Sequence, residues 1–238
     1  MGLLKKFFAV MLLYLTYQFF TPNERIEIDH GDSKYSFEYV VKDSSSLSLP
    51  ILFLLHGNGD TPKNFYEGNF EELIDSFRIV LLKAPQKCYV GLINGTCWPR
   101  EKSEIAKYYS AMRVAIHKIH QSFPHGDSKP YLLGYSAGAS AAYFFASNSP
   151  NYYSVIVPVS GMLNQSLIPK EIPKSLSTKI IAFHGIKDQI IEFHNAKLTV
   201  EAMQKSGSSI RLHKFDGGHH GLFKEQKNEI FNILKQNL

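Results

Sequence analysis

The sequence has few cysteines, little net charge and no apolar stretch of membrane-spanning length. Two cysteines, Cys88 and Cys97, stand among 238 residues. A single pair with eight residues between them matches no zinc-ligand spacing. No apolar run reaches the roughly 20 residues that a permanent membrane-spanning helix needs. Basic residues number 26 and acidic residues 21, a net of +5. Setting aside residues 1–22, which hold two lysines and no acid, lowers the net charge to +3. A charge so small and scattered excludes a nucleic-acid-binding surface. The glycines form neither G-x-G-x-x-G nor a Walker loop, which excludes the usual dinucleotide and P-loop sites. No internal repeat occurs, and the one biased patch, Ser44-Ser45-Ser46, reads as a turn.

What is present suits one large packed domain, with 44% hydrophobic and 13% aromatic residues. The first 22 residues are of another kind. Met1–Lys6 is basic, and Phe7–Phe20 is mostly apolar, interrupted by Thr16 and Gln18. Thr21-Pro22-Asn23-Glu24 then breaks the pattern. These are the n- and h-regions of a secretory signal. No A-x-A-like pair precedes Thr21, so two outcomes stay open. Residues 1–22 are either a cleaved signal peptide, giving a secreted or periplasmic protein, or an anchor that tethers the exported domain to a membrane through residues 7–20. The folded domain is then 23–238. In an exported chain, Cys88 and Cys97 read as one disulfide. Asn94-Gly95-Thr96 and Asn164-Gln165-Ser166 are glycosylation sequons.

Arg25–Ile28 and Tyr35–Val41 alternate as strands around Gly31-Asp32, predicting an antiparallel edge hairpin. Ile51–Leu55, Arg78–Leu82, Tyr131–Leu133, Val155–Val159 and Lys179–Phe183 are short continuous apolar runs, as strands buried on both faces require. Ile210–Phe215 is a half-polar candidate. Helical periodicity is read over Glu101–Gln121, Ala137–Ala146, Asn195–Gln204 and Leu222–Leu234. Alternating strands and helices predict an α/β fold: a three-layer sandwich around about eight mostly parallel strands.

Gly134-Tyr135-Ser136-Ala137-Gly138 carries the chemistry. It follows a buried strand and opens a small-residue helix, the setting of a nucleophile elbow. A serine nucleophile needs a base, and the base an orienting acid. In hydrolases of this architecture the acid and then the histidine follow later strands. Asp188 follows Lys179–Phe183, and His219 follows Ile210–Phe215. His219 is preferred to its neighbour His220 because it comes first after Gly217-Gly218, and Asp188 to Glu192. His184 and His194 are read as structural, and the histidines at 30, 117, 120, 125 and 213 as solvated. His56-Gly57-Asn58-Gly59-Asp60 ends Ile51–Leu55 in a glycine turn. Its Asn58 N–H and the Ala137 N–H would hold an oxyanion.

These pieces, with Lys83-Ala84-Pro85, Trp98 and His184-Gly185, resemble the phospholipase/carboxylesterase branch of the α/β-hydrolase fold. That branch includes acyl-protein thioesterases and small bacterial carboxylesterases. The resemblance spans residues 51 to about 235. It implies Ser136, Asp188 and His219 as triad, and Asn58 and Ala137 as oxyanion donors. Ala137 departs from the glutamine usual there. The export signal, the cysteine pair and Gly217-Gly218-His219 are also similar to secreted feruloyl-esterase and polyhydroxyalkanoate-depolymerase-like enzymes.

Ser160–Ser177 leaves room for a loop but not for a cap domain. Asn58, Trp98, Met162 and Leu163 are expected to face the cleft, with Tyr89 and Leu92 in the loop of Trp98; the alternative for Trp98 is a core anchor beside the Cys88–Cys97 link. The expected activity is hydrolysis of a small or polymeric carboxylic ester through an acyl-enzyme, with no metal or organic cofactor. Thioester or peptide cleavage by the same triad, and a silent fold used for binding, are the alternatives.

Overall fold

The computed structural model describes residues 23–43, 48–90, 93–124, 127–173, 178–221 and 225–238. The export segment, the Ser44–Ser46 turn, Leu92 and His125 lie outside the described residues. Strands β1 (Glu24–His30) and β2 (Ser33–Lys42) pair antiparallel through a turn at Gly31, where φ is 61°. They alternate because one face is covered: Ile28, Phe37, Tyr39 and Val41 are buried between more exposed neighbours.

Strand β3 (Ile51–Leu55) is buried at every position. Its odd residues Ile51, Phe53 and Leu55 join one core, and Leu52 and Leu54 join the other. A continuous apolar run is what a strand between two cores requires. Helix α1 (Pro62–Tyr66) follows, capped by Thr61 Oγ1, which accepts from Asn64 N–H at 3.2 Å. Next come β4 (Arg78–Leu82), β5 (Gln86–Val90), β6 (Ile93–Cys97) and helix α2 (Lys102–Ser122). Then β7 (Tyr131–Tyr135), α3 (Ala137–Asn148), β8 (Val155–Val159), β9 (Lys179–Gly185), α4 (Phe193–Lys205), β10 (Arg211–Phe215) and α5 (Lys227–Lys235) complete the chain.

Eight strands form one sheet in the order β1-β2-β4-β3-β7-β8-β9-β10. It is antiparallel at the β1-β2-β4 edge and parallel from β4 to β10. Tyr109 and Met112 of α2, Tyr143 and Phe145 of α3, and Val200 and Met203 of α4 pack on one face. Phe65 of α1 and Ile230 and Phe231 of α5 pack on the other. This is the three-layer α/β-hydrolase architecture. The described part of the β8–β9 connection holds one short 3-10 turn, Gln165–Leu167, and no large cap.

The β5–β6 hairpin, a separate two-stranded sheet, has no counterpart in the sequence reading. The Cys88–Cys97 disulfide links its two strands. Helix α5 is described over Lys227–Lys235, and residues 222–224 of the expected Leu222–Leu234 helix lie outside the described residues. His120, read as solvated, is buried on the inner side of α2. Its Nδ1 lies 3.0 Å from Tyr152 Oη.

Candidate active site

Strand β7 runs through the centre of the sheet and ends one residue before Ser136. Ser136 has φ 53° and ψ −117°, in a region that non-glycine residues rarely occupy. The fold imposes this turn. Ser136 N–H donates to Val159 O of β8 at 2.8 Å, and its carbonyl accepts from Ala139 N–H at 3.0 Å. Strand and helix then pass so closely that only glycine fits on either side. A Cβ at Gly134 would strike the backbone of Gly138, and one at Gly138 would strike the carbonyls of Leu55 and His56.

The sheet's carboxyl edge brings Ser136, His219 and Asp188 into one chain of contacts. His219 Nε2 lies 2.9 Å from Ser136 Oγ, and His219 Nδ1 lies 2.7 Å from Asp188 Oδ2. The acceptor-only carboxylate fixes the proton on Nδ1, leaving Nε2 to accept from the serine hydroxyl. Asp188 Oδ1 accepts two backbone N–H bonds at 2.9 Å, from Ile190 and Ile191. The loops after β9 and β10 are tied together by backbone bonds: Ile186 N–H to Phe215 O and Lys187 N–H to Gly217 O. That tie sets the acid against the base. Burial pushes the His219 imidazole below its ordinary range, against the pull of Asp188. His219 is thus poised neutral, as an acceptor must be.

Two residues around this chain were not assigned a role from sequence. Tyr135 Oη donates to His219 O at 3.0 Å and also lies 3.1 Å from His220 Nδ1. It ties the backbone of the histidine loop to the end of β7. His184, read as structural, is buried and donates from Nε2 to Ile191 O at 2.8 Å. The same nitrogen lies 3.3 Å from Asp188 Oδ2. A histidine four residues before the acid was the available signal.

The turn after β3 abuts this site. A Cβ at Gly57 would come within 3.3 Å of Ser136 Cβ, so the backbone leading to Asn58 runs alongside the serine. Ala137 opens α3, where helix N–H groups lack partners within the helix. His56 is buried and bonded on both ring nitrogens. Nδ1–H donates to Gly57 O at 2.7 Å, and Nε2 accepts from Ala84 N–H at 3.1 Å. Burial, opposed by the Gly57 bond, pulls its pKa down to about 4.

A family model described as phospholipase/carboxylesterase matches residues 38–238. The chain belongs to the phospholipase/carboxylesterase family. Its fold is similar to that of esterase PE8, at TM-score 0.68 and 17% identity, covering 90% of this chain and 100% of that one. It is also similar to the Bacillus cereus carboxylesterase, at TM-score 0.66 and 14% identity, covering 82% and 94%. The Pyrococcus furiosus esterase Pf2001 matches at TM-score 0.61 and 14% identity, covering 90% and 92%. No curated protein matches the chain in sequence.

In this family member, Trp98 requires a correction. Of its two readings, cleft wall and core anchor, its 1% exposure rules out the first. Its indole N–H donates to His56 O at 2.6 Å, and its backbone N–H donates to Asn58 Oδ1 at 2.8 Å. A buried indole needs an acceptor, and here the acceptor belongs to the turn beside the serine. Trp98 therefore holds that turn rather than lining the cleft. Thr96 adds to the hold: its carbonyl accepts from Gly59 N–H at 3.0 Å, and its N–H donates to Asp60 O at 2.9 Å. Met162 is 38% exposed, in the loop after β8, whereas Leu163 is buried. Tyr89 is exposed on β5.

Proposed function

We propose that the chain is a serine hydrolase of carboxylic esters that works through an acyl-enzyme on Ser136. The observation that carries this reading is the 2.9 Å approach of His219 Nε2 to Ser136 Oγ, with Nδ1 held by Asp188. His219 takes the serine proton as Oγ attacks the ester carbonyl. The Asn58 and Ala137 N–H groups stabilise the oxyanion, a contribution of about 3 kcal/mol per donor in such sites. His219 then protonates the leaving alcohol, and water releases the acid by the same route. Membership of a phospholipase/carboxylesterase family supports the ester as the bond cleaved.

The test is hydrolysis of p-nitrophenyl acetate, butyrate, octanoate and palmitate by residues 23–238, beside Ser136→Ala. We expect turnover in the parent and a fall of at least about 10³-fold in the variant, since loss of a triad serine removes most of the rate. Equal turnover in both proteins would exclude Ser136 as nucleophile.

The same reading includes export. The Cys88–Cys97 disulfide supports it, because such bonds persist in oxidising compartments. Among the described residues, no helix is long and apolar enough to cross a membrane. Intact-mass measurement of the exported protein is expected to show loss of residues 1–22. Full mass in the membrane fraction would favour the anchor.

A further inference from the structure

A cavity of about 220 Å³ opens where the first turns of α2 and α3 meet the loop after β8. Its wall includes Arg100, Lys102, Ile105, Met162 and Leu167. Three links tie its wall to the backbone of Ser136 and of the β3 turn. Ser140, also in the wall, lies one helical turn beyond Ser136 on α3, and its Oγ donates to Met162 O at 2.6 Å. Gly161, just before Met162, is packed so that a Cβ would come 2.7 Å from Ser136 O. Arg100 follows two residues after Trp98, whose N–H holds Asn58 Oδ1.

The wall is divided by chemistry. Ile105, Met162 and Leu167 offer an apolar stretch suited to methylene groups. Arg100 and Lys102 are exposed, and among the described residues neither is held in an ion pair or hydrogen bond. Glu101 and Glu104, the acids nearest in sequence, do not line the cavity. Lys102 also opens α2, a 21-residue helix whose cap residue Glu101 makes no side-chain cap bond. The first-turn N–H groups and the positive end of the helix dipole add to the same field.

The two halves of an ester are assigned by the proton donor. His219 must reach the leaving oxygen, and it lies in the loop between β10 and α5, at the sheet's carboxyl edge. The cavity lies over α2 and α3, on one face of the sheet. With His219 serving the leaving oxygen, the alcohol half is assigned to its side of Ser136 and the acyl half to the cavity. We propose that this cavity is the acyl subsite and that it selects esters whose acyl chain ends in a carboxylate. Arg100 and Lys102 receive the anion, and the apolar stretch receives the chain between it and the carbonyl. This proposal rests on the serine-esterase reading.

The test compares mono-4-nitrophenyl adipate with 4-nitrophenyl hexanoate. The two differ only in a terminal carboxylate for a terminal methyl. The wild type is expected to prefer the adipate by about tenfold in kcat/KM at low salt. The preference should shrink in about 0.5 M sodium chloride, because exposed charges are screened. In Arg100→Gln/Lys102→Gln the ratio should fall to about one, and in Arg100→Glu/Lys102→Glu it should invert. Any general damage to the enzyme cancels in the ratio. A wild-type ratio at or below one, with both esters turned over, overturns the acyl-carboxylate proposal and leaves the esterase reading standing. Turnover of neither ester, or turnover that survives Ser136→Ala, removes the esterase reading and this proposal with it.

Discussion

A histidine buried beside a carboxylate feels two opposed pulls. Desolvation disfavours the imidazolium, and the neighbouring anion favours it. At His219 burial is the larger, so the imidazole is held below its ordinary value of 6.5. His219 must be neutral to accept the Ser136 proton, so kcat/KM should rise with pH through a pKa below 6.5. In Asp188→Asn the pull that raises the pKa is gone, so the acidic limb should move to still lower pH. That substitution also removes the group that fixes the Nδ1–H tautomer, and kcat should fall by about 10⁴-fold. A pH–rate profile of both proteins checks the two effects together. A limb that moves upward in the variant would contradict the assignment of Asp188. His219 and Asp188 were reached from chain order, from the strands they follow and, for His219, from the Gly217-Gly218 turn before it. Tyr135 was not, because its role depends on an 84-residue contact with the carbonyl of His219.

At the scale of elements, the disulfide-linked β5–β6 hairpin acts on the β3 turn. Thr96 bonds Gly59 and Asp60 through the backbone, and Trp98, next after Cys97, holds His56 and Asn58. Trp98→Phe keeps the ring bulk but leaves the buried His56 carbonyl without its indole donor. Such a loss costs about 1–3 kcal/mol of stability. If the turn supplies an oxyanion donor, kcat should fall by about tenfold while KM changes little. A rise in KM alone would mean that Trp98 touches substrate after all. Reduction of Cys88–Cys97 should act in the same direction. For so short a loop it removes about 2–3 kcal/mol in the chain-entropy model, read as a fall in thermal midpoint. Gly138→Ala tests the other side of the turn, since its Cβ would strike the Leu55 and His56 carbonyls. We expect loss of both folding yield and activity. The hairpin escaped the sequence reading because its strands are short and polar: Ile93-Asn94-Gly95-Thr96-Cys97 has no alternating apolar face. The central strands were legible because burial on two faces writes itself as an unbroken apolar run.

For the whole molecule, what the sequence made legible was the pattern set by layers: eight strands, helices between them, and site residues at the strands' carboxyl ends. What it hid was the pairing of loops, where one carbonyl decides whether a tryptophan walls a cleft or holds a turn. His56 shows how such a hidden contact reaches global stability. Its Nε2 accepts from Ala84 N–H, so protonation would set two donors against each other. Its pKa falls from 6.5 to about 4 in the folded protein. Between those values the unfolded chain binds a proton that the folded one does not. Stability from this group is therefore whole above pH 6.5, declines as pH falls, and stops declining below about pH 4. The full effect is about 3 kcal/mol. His184 and His219 are depressed in the same sense and add to the acid sensitivity. Urea unfolding across pH 4–7.5 should show wild-type stability falling steeply below pH 6.5. His56→Gln should be less stable at pH 7.5 but have a shallower slope, by up to one proton. Equal slopes in the two proteins would mean that His56 is not the buried neutral group described above.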